Sequence, residues 1–337
     1  MKSEFIEKFK QAYQEIEKAE TILLVSHVHP DADALSSLGI MIDLLESLGK
    51  DYLAYAKDKE GGYDYLPHED KIASSLPTGF DLLNFDLIIA LDCGSMARTG
   101  LGPQMNNILP LPLIKRPVII EFDHHPKTDD YADLEIRLPE LTSNTEVLYH
   151  FLKINNLSLN KNLANCLLAG ILADTGNFLY PATSDAAIKI SAEMLNYGAQ
   201  LPKIVQSTYQ NKDLLSMKIW GLALKNLKIN QKYNLAVSVL TQIEIQTIAQ
   251  ELEVEISNDI FGDIVGFLSN LGGVKGVLLI REEADNRFKG NLRSAHPGID
   301  MAKLAGVFGG GGHPKASGFL LGGSINRVND GWTVNLR

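Results

Sequence analysis

The sequence predicts an α/β chain in which a doubly wound parallel sheet is followed by a smaller α/β domain of different pattern. Three observations carry this expectation. Short apolar runs rich in β-branched residues, Thr21–Val25, Asp86–Leu91 and Pro117–Ile120, alternate with segments of helical period in the first part of the chain. Beyond about residue 228 the order changes to paired strands and short helices. A length of 337 residues is enough for two hydrophobic cores. The expected division is residues 1–200 as the first domain, 201–227 as a helical linker and 228–337 as the second domain.

Taken in order, Phe5, Phe9, Tyr13 and Ile16 recur at helical spacing and make Met1–Glu20 an amphipathic helix. Thr21–Val25 then reads as a buried strand. Ala34–Leu48 follows as a helix that Gly49 ends. Asp51–Phe80 is rich in Tyr, Pro and Gly and receives no detailed assignment, and Pro103–Pro112 reads as a loop. Asn144–Ile154 and Asn162–Ala173 read as helices, and Ser184 or Asp185 caps another that stops at Gly198. In the second half the expected elements are a strand over Tyr233–Leu240 and helices near Gln242–Leu252 and Asp259–Leu271. A hairpin of Lys275–Arg281 and Arg287–Ser294 turns around Ala284–Asn286, and Ala316–Leu321 is a returning strand.

Composition is that of an ordinary globular protein, 45% hydrophobic and 21% charged. No apolar run approaches the ~20 residues that span a bilayer. The first twenty or so residues are too charged for a secretory signal, so the expected location is the cytoplasm. Cys93 and Cys166 give no disulfide framework and read as core residues. A formal net charge of −10 argues against binding long duplex nucleic acid, which draws on many Lys and Arg contacts to phosphate. A short acidic substrate fits if cations supply positive charge locally.

In a parallel sheet the strand C-termini share one edge, and that edge is where ligands bind. Three predicted strands end in acid: Asp31 and Asp33, then Asp92, then Asp123. Carboxylates gathered at one edge repel one another, and divalent cations remove the conflict. His27 and His124 add nitrogen ligands, and Asp174 reaches the same edge if its helix packs on the sheet. Oxygen-rich ligation with one or two imidazoles suits Mn²⁺ best and Mg²⁺ or Fe²⁺ less. The set is large enough for two ions that share a carboxylate, an arrangement that activates water against a phosphoryl group.

His27-Val28-His29-Pro30-Asp31-Ala32-Asp33, Asp92-Cys93-Gly94, Asp123-His124-His125 and Asp174-Thr175-Gly176 resemble the four ordered motifs of the DHH phosphoesterase superfamily. Arg293-Ser294 with Gly310-Gly311-Gly312-His313 resembles the signature of the DHHA1 domain that accompanies it. Within the superfamily the chain is most similar to the branch of nanoRNases and pAp phosphatases. The resemblance implies an N-terminal DHH domain, a C-terminal DHHA1 domain and an active site in the cleft between them. It implies that His27, Asp31 and Asp92 hold one Mn²⁺ and that Asp33, Asp92, His124 and Asp174 hold the other. It makes Asp123 an acid that orients a histidine, turns His125 toward the substrate, and has Arg293, His313 and the glycine run grip that substrate. Arg98 is a further candidate for phosphate. Ser143, Asn144 and Thr145 are expected to cap a helix, His29 to be a plain loop residue, His68 a surface residue, His150 a helix-packing residue, and His296 a candidate contact to base or ribose. The implied substrates are short oligoribonucleotides or pAp, cleaved by a water that two ions activate, and the resemblance is compatible with a homodimer. The alternatives are a pApA or cyclic-di-AMP phosphodiesterase and an inorganic pyrophosphatase or exopolyphosphatase.

Overall fold

The computed structural model describes residues 3–180, 183–209, 213–256, 261, 264–283, 285–294, 296, 298–328 and 331–336. The chain divides into two compact units, Met1–Gln210 and Asn211–Arg337. In chain order the first contains α1 (Ser3–Lys18), β1 (Thr21–Ser26), α2 (Ala32–Ser47), β2 (Asp51–Tyr55), β3 (Ile72–Ala73), β4 (Leu87–Leu91), α3 (Gly102–Ile108), β5 (Val118–Asp123), β6 (Leu134–Arg137), α4 (Asn144–Ile154), α5 (Lys161–Thr175), α6 (Asp185–Asn196) and α7 (Leu201–Tyr209).

All six strands are parallel, in the order β3-β2-β1-β4-β5-β6. The chain winds outward from β1 in one direction and then, from β4, in the other, so the gap between β1 and β4 is the topological switch point of a doubly wound sheet. Both faces are covered. Ile22 and Leu24 of β1 join Phe9, Leu38, Phe122 and Phe151 in one core, while Leu23 and Val25 join Ile88, Ala90 and Met105 in another. Burial on both sides is why these strands read as continuous apolar runs rather than alternating ones. Cys93 and Cys166 are both buried and unpaired with each other.

Two sequence expectations change. Pro103–Pro112 is not all loop, because Gly102–Ile108 is helical and carries its proline in the first turn, where no intrahelical hydrogen bond is lost. The last sheet strand of this unit, β6, escaped the sequence reading because its alternation extends over only four residues.

The second unit contains α8 (Leu214–Lys225), β7 (Lys228–Asn230), β8 (Leu235–Leu240), α9 (Gln242–Leu252), α10 (Ile264–Leu268), β9 (Gly276–Glu283), β10 (Arg287–Arg293), α11 (Met301–Val307), β11 (Gly311–His313), β12 (Ala316–Val328) and β13 (Gly331–Leu336). Its mixed sheet has the order β11-β12-β10-β9-β8-β7, with β13 paired to β12 and a single parallel pair, β8 with β9. Leu215 and Ile219 of α8 and Ile245 of α9 cover one face, and Phe288, Met301 and Phe319 form a core of their own. The β9–β10 turn uses Asp285 and Asn286 in the left-handed region; Ala284 lies outside the described residues. The start of the helix expected near Asp259 also lies outside them. Among the described residues no helix is long and apolar enough to cross a membrane.

Candidate active site

The acids of the first unit meet at the C-terminal edge of the sheet, at the switch point. His27 follows β1 with its Nδ1 2.9 Å from the Val28 carbonyl oxygen. A carbonyl only accepts, so in the neutral ring Nδ1 carries the proton and Nε2 presents its lone pair. That lone pair stands 3.8 Å from Asp31 Oδ2 and 3.7 Å from Asp92 Oδ2. Asp31 caps α2, its Oδ1 accepting from the N–H groups of Asp33 and Ala34 at 3.0 and 3.1 Å.

Asp33 is fully buried and is held by the start of another helix. Its Oδ2 accepts from the Asn144 N–H at 2.6 Å and its Oδ1 from the Thr145 N–H at 3.1 Å, both at the N-terminus of α4. The helix end supplies orphan donors and a favourable dipole to a charge that would otherwise be stranded. Ser143 caps α4 through its hydroxyl, which accepts from the Glu146 N–H. The sequence showed this cap but not that the next two residues hold Asp33. Gly170 of α5 faces the same spot, and a Cβ there would lie 2.3 Å from Asp33 Oδ1. Glycine at this position lets α5 come close enough to deliver Asp174 one turn later.

Asp92 follows β4 in the left-handed region, with φ of 59°, and its N–H donates to the Phe122 carbonyl at 3.0 Å. A non-glycine residue there is strained, and the strain turns its carboxylate into the edge. Asp92 is 1% exposed. Its Oδ1 makes no hydrogen bond of acceptable geometry, although His124 Nε2 and His125 Nδ1 stand 3.4 and 3.3 Å away. His124 Nε2 also lies 3.2 Å from Asp174 Oδ2. Asp123, at the end of β5, accepts from the Gly94 N–H at 2.5 Å and from the His125 N–H at 2.7 Å, and its Oδ1 is 2.8 Å from His125 Nδ1.

The charges are unevenly matched. Burial, followed by repulsion from Asp174 and Asp92, pushes Asp33 well above the usual carboxylate range. Burial also raises Asp174, against the pull of His124. For Asp92, burial is outweighed by the contacts of His124 and His125, which hold it below that range. Burial disfavours protonated His124, yet Asp174 and Asp92 raise it strongly, and His125 is carried up to about 9 by Asp123 and Asp92 in the same way. Among the described ion pairs Asp33, Asp92 and Asp174 meet positive charge only as imidazolium, a pattern that divalent cations would relieve.

Three groups have ligand atoms within 4.8 Å of one another: His27, Asp31 and Asp92; Asp33, His124 and Asp174; and Asp92, His124 and His125. Folding thus gathers all six residues expected to ligate, with Asp92 common to two groups. The residues fit a metal: an orphaned buried carboxylate oxygen, an imidazole lone pair aimed at acids, and an oxygen-rich donor set. Arg98 packs over Gly94 beside the His125 ring, since a Cβ on Gly94 would lie 2.8 Å from its Nη1 and 3.5 Å from His125 Cγ. His29 points away, exposed and 3.9 Å from Asp58. His68 is not a surface residue but hydrogen-bonds Asp43 at 3.0 Å.

In the second unit Arg293 ends β10, and with Ser294, His296, Gly276 and residues 269–274 it lines an open pocket of about 380 Å³. None of the glycine run lines that pocket. A Cβ on Gly310 would lie 2.1 Å from the Gly318 carbonyl, and one on Gly312 would lie 2.6 Å from that of Ala316. These two glycines therefore let β11 close on β12, while Gly311 has open space. The side chain of His313 lies outside the described residues.

The sequence model of the DHH family N-terminal domain matches residues 21–171, and that of the DHHA1 domain matches residues 217–327. The chain is a DHH/DHHA1 phosphoesterase. A probable bifunctional oligoribonuclease and PAP phosphatase NrnA of Streptococcus mutans is 27% identical to it over 92% of both chains. The enzyme of the same name from Bacillus subtilis is 28% identical over 89% of this chain and 88% of its own. Among solved structures, an exopolyphosphatase-related protein from Bacteroides fragilis superposes with a TM-score of 0.79 at 24% identity, over 93% of this chain and 90% of that one. RecJ from Thermus thermophilus in complex with Mn²⁺ superposes at 0.53 and 14% identity, over 94% of this chain and 51% of RecJ. Both likenesses speak to the fold alone.

Proposed function

We propose that this phosphoesterase hydrolyses short nucleotide substrates, oligoribonucleotides of a few residues and pAp, with two divalent ions. The observation that carries the metal reading is Asp92, a buried and conformationally strained carboxylate whose Oδ1 lacks a well-formed hydrogen bond and which belongs to two ligand groups at once. His27, Asp31 and Asp92 would hold one ion, and Asp33, Asp92, His124 and Asp174 the other. When bound, such a pair lowers the pKa of a water and neutralises charge developing at phosphorus, and Mn²⁺ matches the donors best. The rest falls to the chain. The Val28 carbonyl fixes the His27 tautomer, the α4 N-terminus holds Asp33, and Asp123 orients His125 through Nδ1. With Nδ1 so engaged, the proton offered to a leaving oxygen is the one on His125 Nε2. Arg98 in the first domain, and Arg293, Gly310, Gly311, Gly312 and His313 in the second, would bind the substrate. The names of the relatives from S. mutans and B. subtilis support the substrate class.

The test is a Mn²⁺-supplemented panel of pAp, di- to pentaribonucleotides, pApA, cyclic di-AMP, pyrophosphate and polyphosphate, with product identification. Release of mononucleotides or of AMP is expected. Turnover confined to pyrophosphate or polyphosphate would overturn the substrate class, and full activity of Asp92→Ala in Mn²⁺ would overturn the metal assignment.

A further inference from the structure

Behind the metal-binding edge lies a buried ion pair that the reaction itself does not require. Arg137 ends β6, pairs in register with Asp123 and is 6% exposed. Its Nη1 donates to the His125 carbonyl at 2.9 Å and stands 3.3 Å from that of Pro126, and both Nη1 and Nη2 reach the Gly94 carbonyl at 3.5 Å. Nη2 donates to Glu121 Oε1 at 2.5 Å, and that oxygen also accepts from the Tyr131 hydroxyl. Nη1 is 3.7 Å from Asp123 Oδ2. One guanidinium thus joins the loop after β4, which carries Asp92, to the loop after β5, which carries His124 and His125. Thr128 and Asp129 reinforce the same join, through the Gly94 carbonyl and the Met96 N–H.

We propose that Arg137 is a positioning residue, which sets the distance between the Asp92 loop and the His124–His125 loop by gripping both backbones while Glu121 neutralises it from below. Stability alone does not explain the choice. A buried ion pair can often be replaced by apolar residues of similar size without loss, and here the Arg137 Nε–H is buried with no partner. A forked, planar donor can serve carbonyls on two loops and a carboxylate at once, and neither an apolar side chain nor lysine can do that. The two loops meet in one ligand group, Asp92 with His124 and His125, and each also supplies a residue to a further group, so their separation decides whether the groups act together.

The inference rests on the metal-binding reading above, and its test separates the two. The full chain is compared with Arg137→Lys and with the double variant Glu121→Leu/Arg137→Met by Mn²⁺ calorimetry, thermal unfolding without metal, and kcat and KM on pAp. The double variant is expected to unfold near the unsubstituted temperature yet bind Mn²⁺ about 10–100-fold more weakly, the usual loss for a removed supporting contact. Its kcat should fall by a similar factor with KM little changed. Arg137→Lys keeps the charge opposite Glu121 and should lose about tenfold in Mn²⁺ affinity; it carries the test if the double variant does not fold. Unchanged Mn²⁺ affinity and kcat in Arg137→Lys would overturn the proposal. If the unsubstituted protein binds no Mn²⁺, the metal-binding reading falls instead.

Discussion

Gly170→Ala separates local helix preference from the architecture of the edge. Gly170 lies inside α5, and by propensity alone alanine should stabilise the helix by up to about 1 kcal/mol. The structure gives the opposite sign. The new Cβ would lie 2.3 Å from Asp33 Oδ1 and 2.4 Å from Thr145 Cγ2 and Oγ1, more than 1 Å inside ordinary contact. All of these atoms belong to buried groups that the α4 N-terminus fixes, so none can swing away cheaply. Overpacking of this kind costs about 1–3 kcal/mol, leaving a net loss of up to about 2 kcal/mol after the propensity gain, or up to roughly 8 °C in Tm for a domain of this size. The effect on turnover should be larger, because a shift of Asp33 by about 1 Å at a catalytic site costs on the order of 100-fold. Differential scanning calorimetry and steady-state kinetics of Gly170→Ala, beside Gly221→Ala in α8 where a Cβ meets nothing within 4 Å, provide the comparison. The control should be neutral or slightly stabilised. A Gly170→Ala protein as stable and active as its control would refute the close approach of α5 to Asp33.

Two further outcomes follow from the same geometry. Mn²⁺ at about 100 times its dissociation constant should stabilise the first domain by about 2.7 kcal/mol per site, seen as a rise in Tm that EDTA reverses; Asp92→Asn should abolish most of the rise. Asp133 pairs bidentately with Arg116 at 2.7 and 2.8 Å. Despite the burial that opposes it, Arg116 and the Ile119 N–H hold the Asp133 carboxyl below its ordinary value. A depressed folded-state value means the contribution is present above about pH 4 and is lost as pH falls further. Asp133→Asn should therefore cost about 1 kcal/mol at pH 7, given partial exposure, and progressively less as pH falls below about 4, as read from urea midpoints from pH 7 downward.

What the sequence disclosed and what it hid divide along a physical line. Thr21–Val25, Asp86–Leu91 and Pro117–Ile120 were legible because burial on both faces leaves unbroken apolar runs, and the acids that end them followed at once. The partners of those acids were not legible. Asp33 is satisfied by the backbone of residues 144 and 145, more than a hundred positions away, and backbone donors leave no trace in side-chain identity. Nothing in the sequence around Gly170, inside an apolar helix, marks the close approach that appears once α2, α4 and α5 are placed together. Glu121 and Arg137 fall in adjacent parallel strands, and their pairing depends on a register that short strands do not announce.

The balance of charge at the edge leads to one more requirement. Asp31, Asp33, Asp92, Asp123 and Asp174 converge there, and their hydrogen bonds come from backbone N–H groups and imidazoles; among the described ion pairs only Asp123 has a guanidinium nearby, that of Arg137, buried beneath it. Without cations such a surface repels a phosphate dianion. A like-charge contact near 4 Å at an effective dielectric constant of about 20 opposes binding by about 4 kcal/mol, and each bound divalent ion reverses the sign. Divalent ions should therefore control association as well as turnover. A non-hydrolysable phosphorothioate analogue of pAp should bind the EDTA-treated protein at least tenfold more weakly than the Mn²⁺-loaded one in equilibrium dialysis, and the difference should shrink as salt is raised. Equal affinity in the two states would mean that the phosphate never approaches the acids, which would remove the carboxylate edge from the reaction altogether.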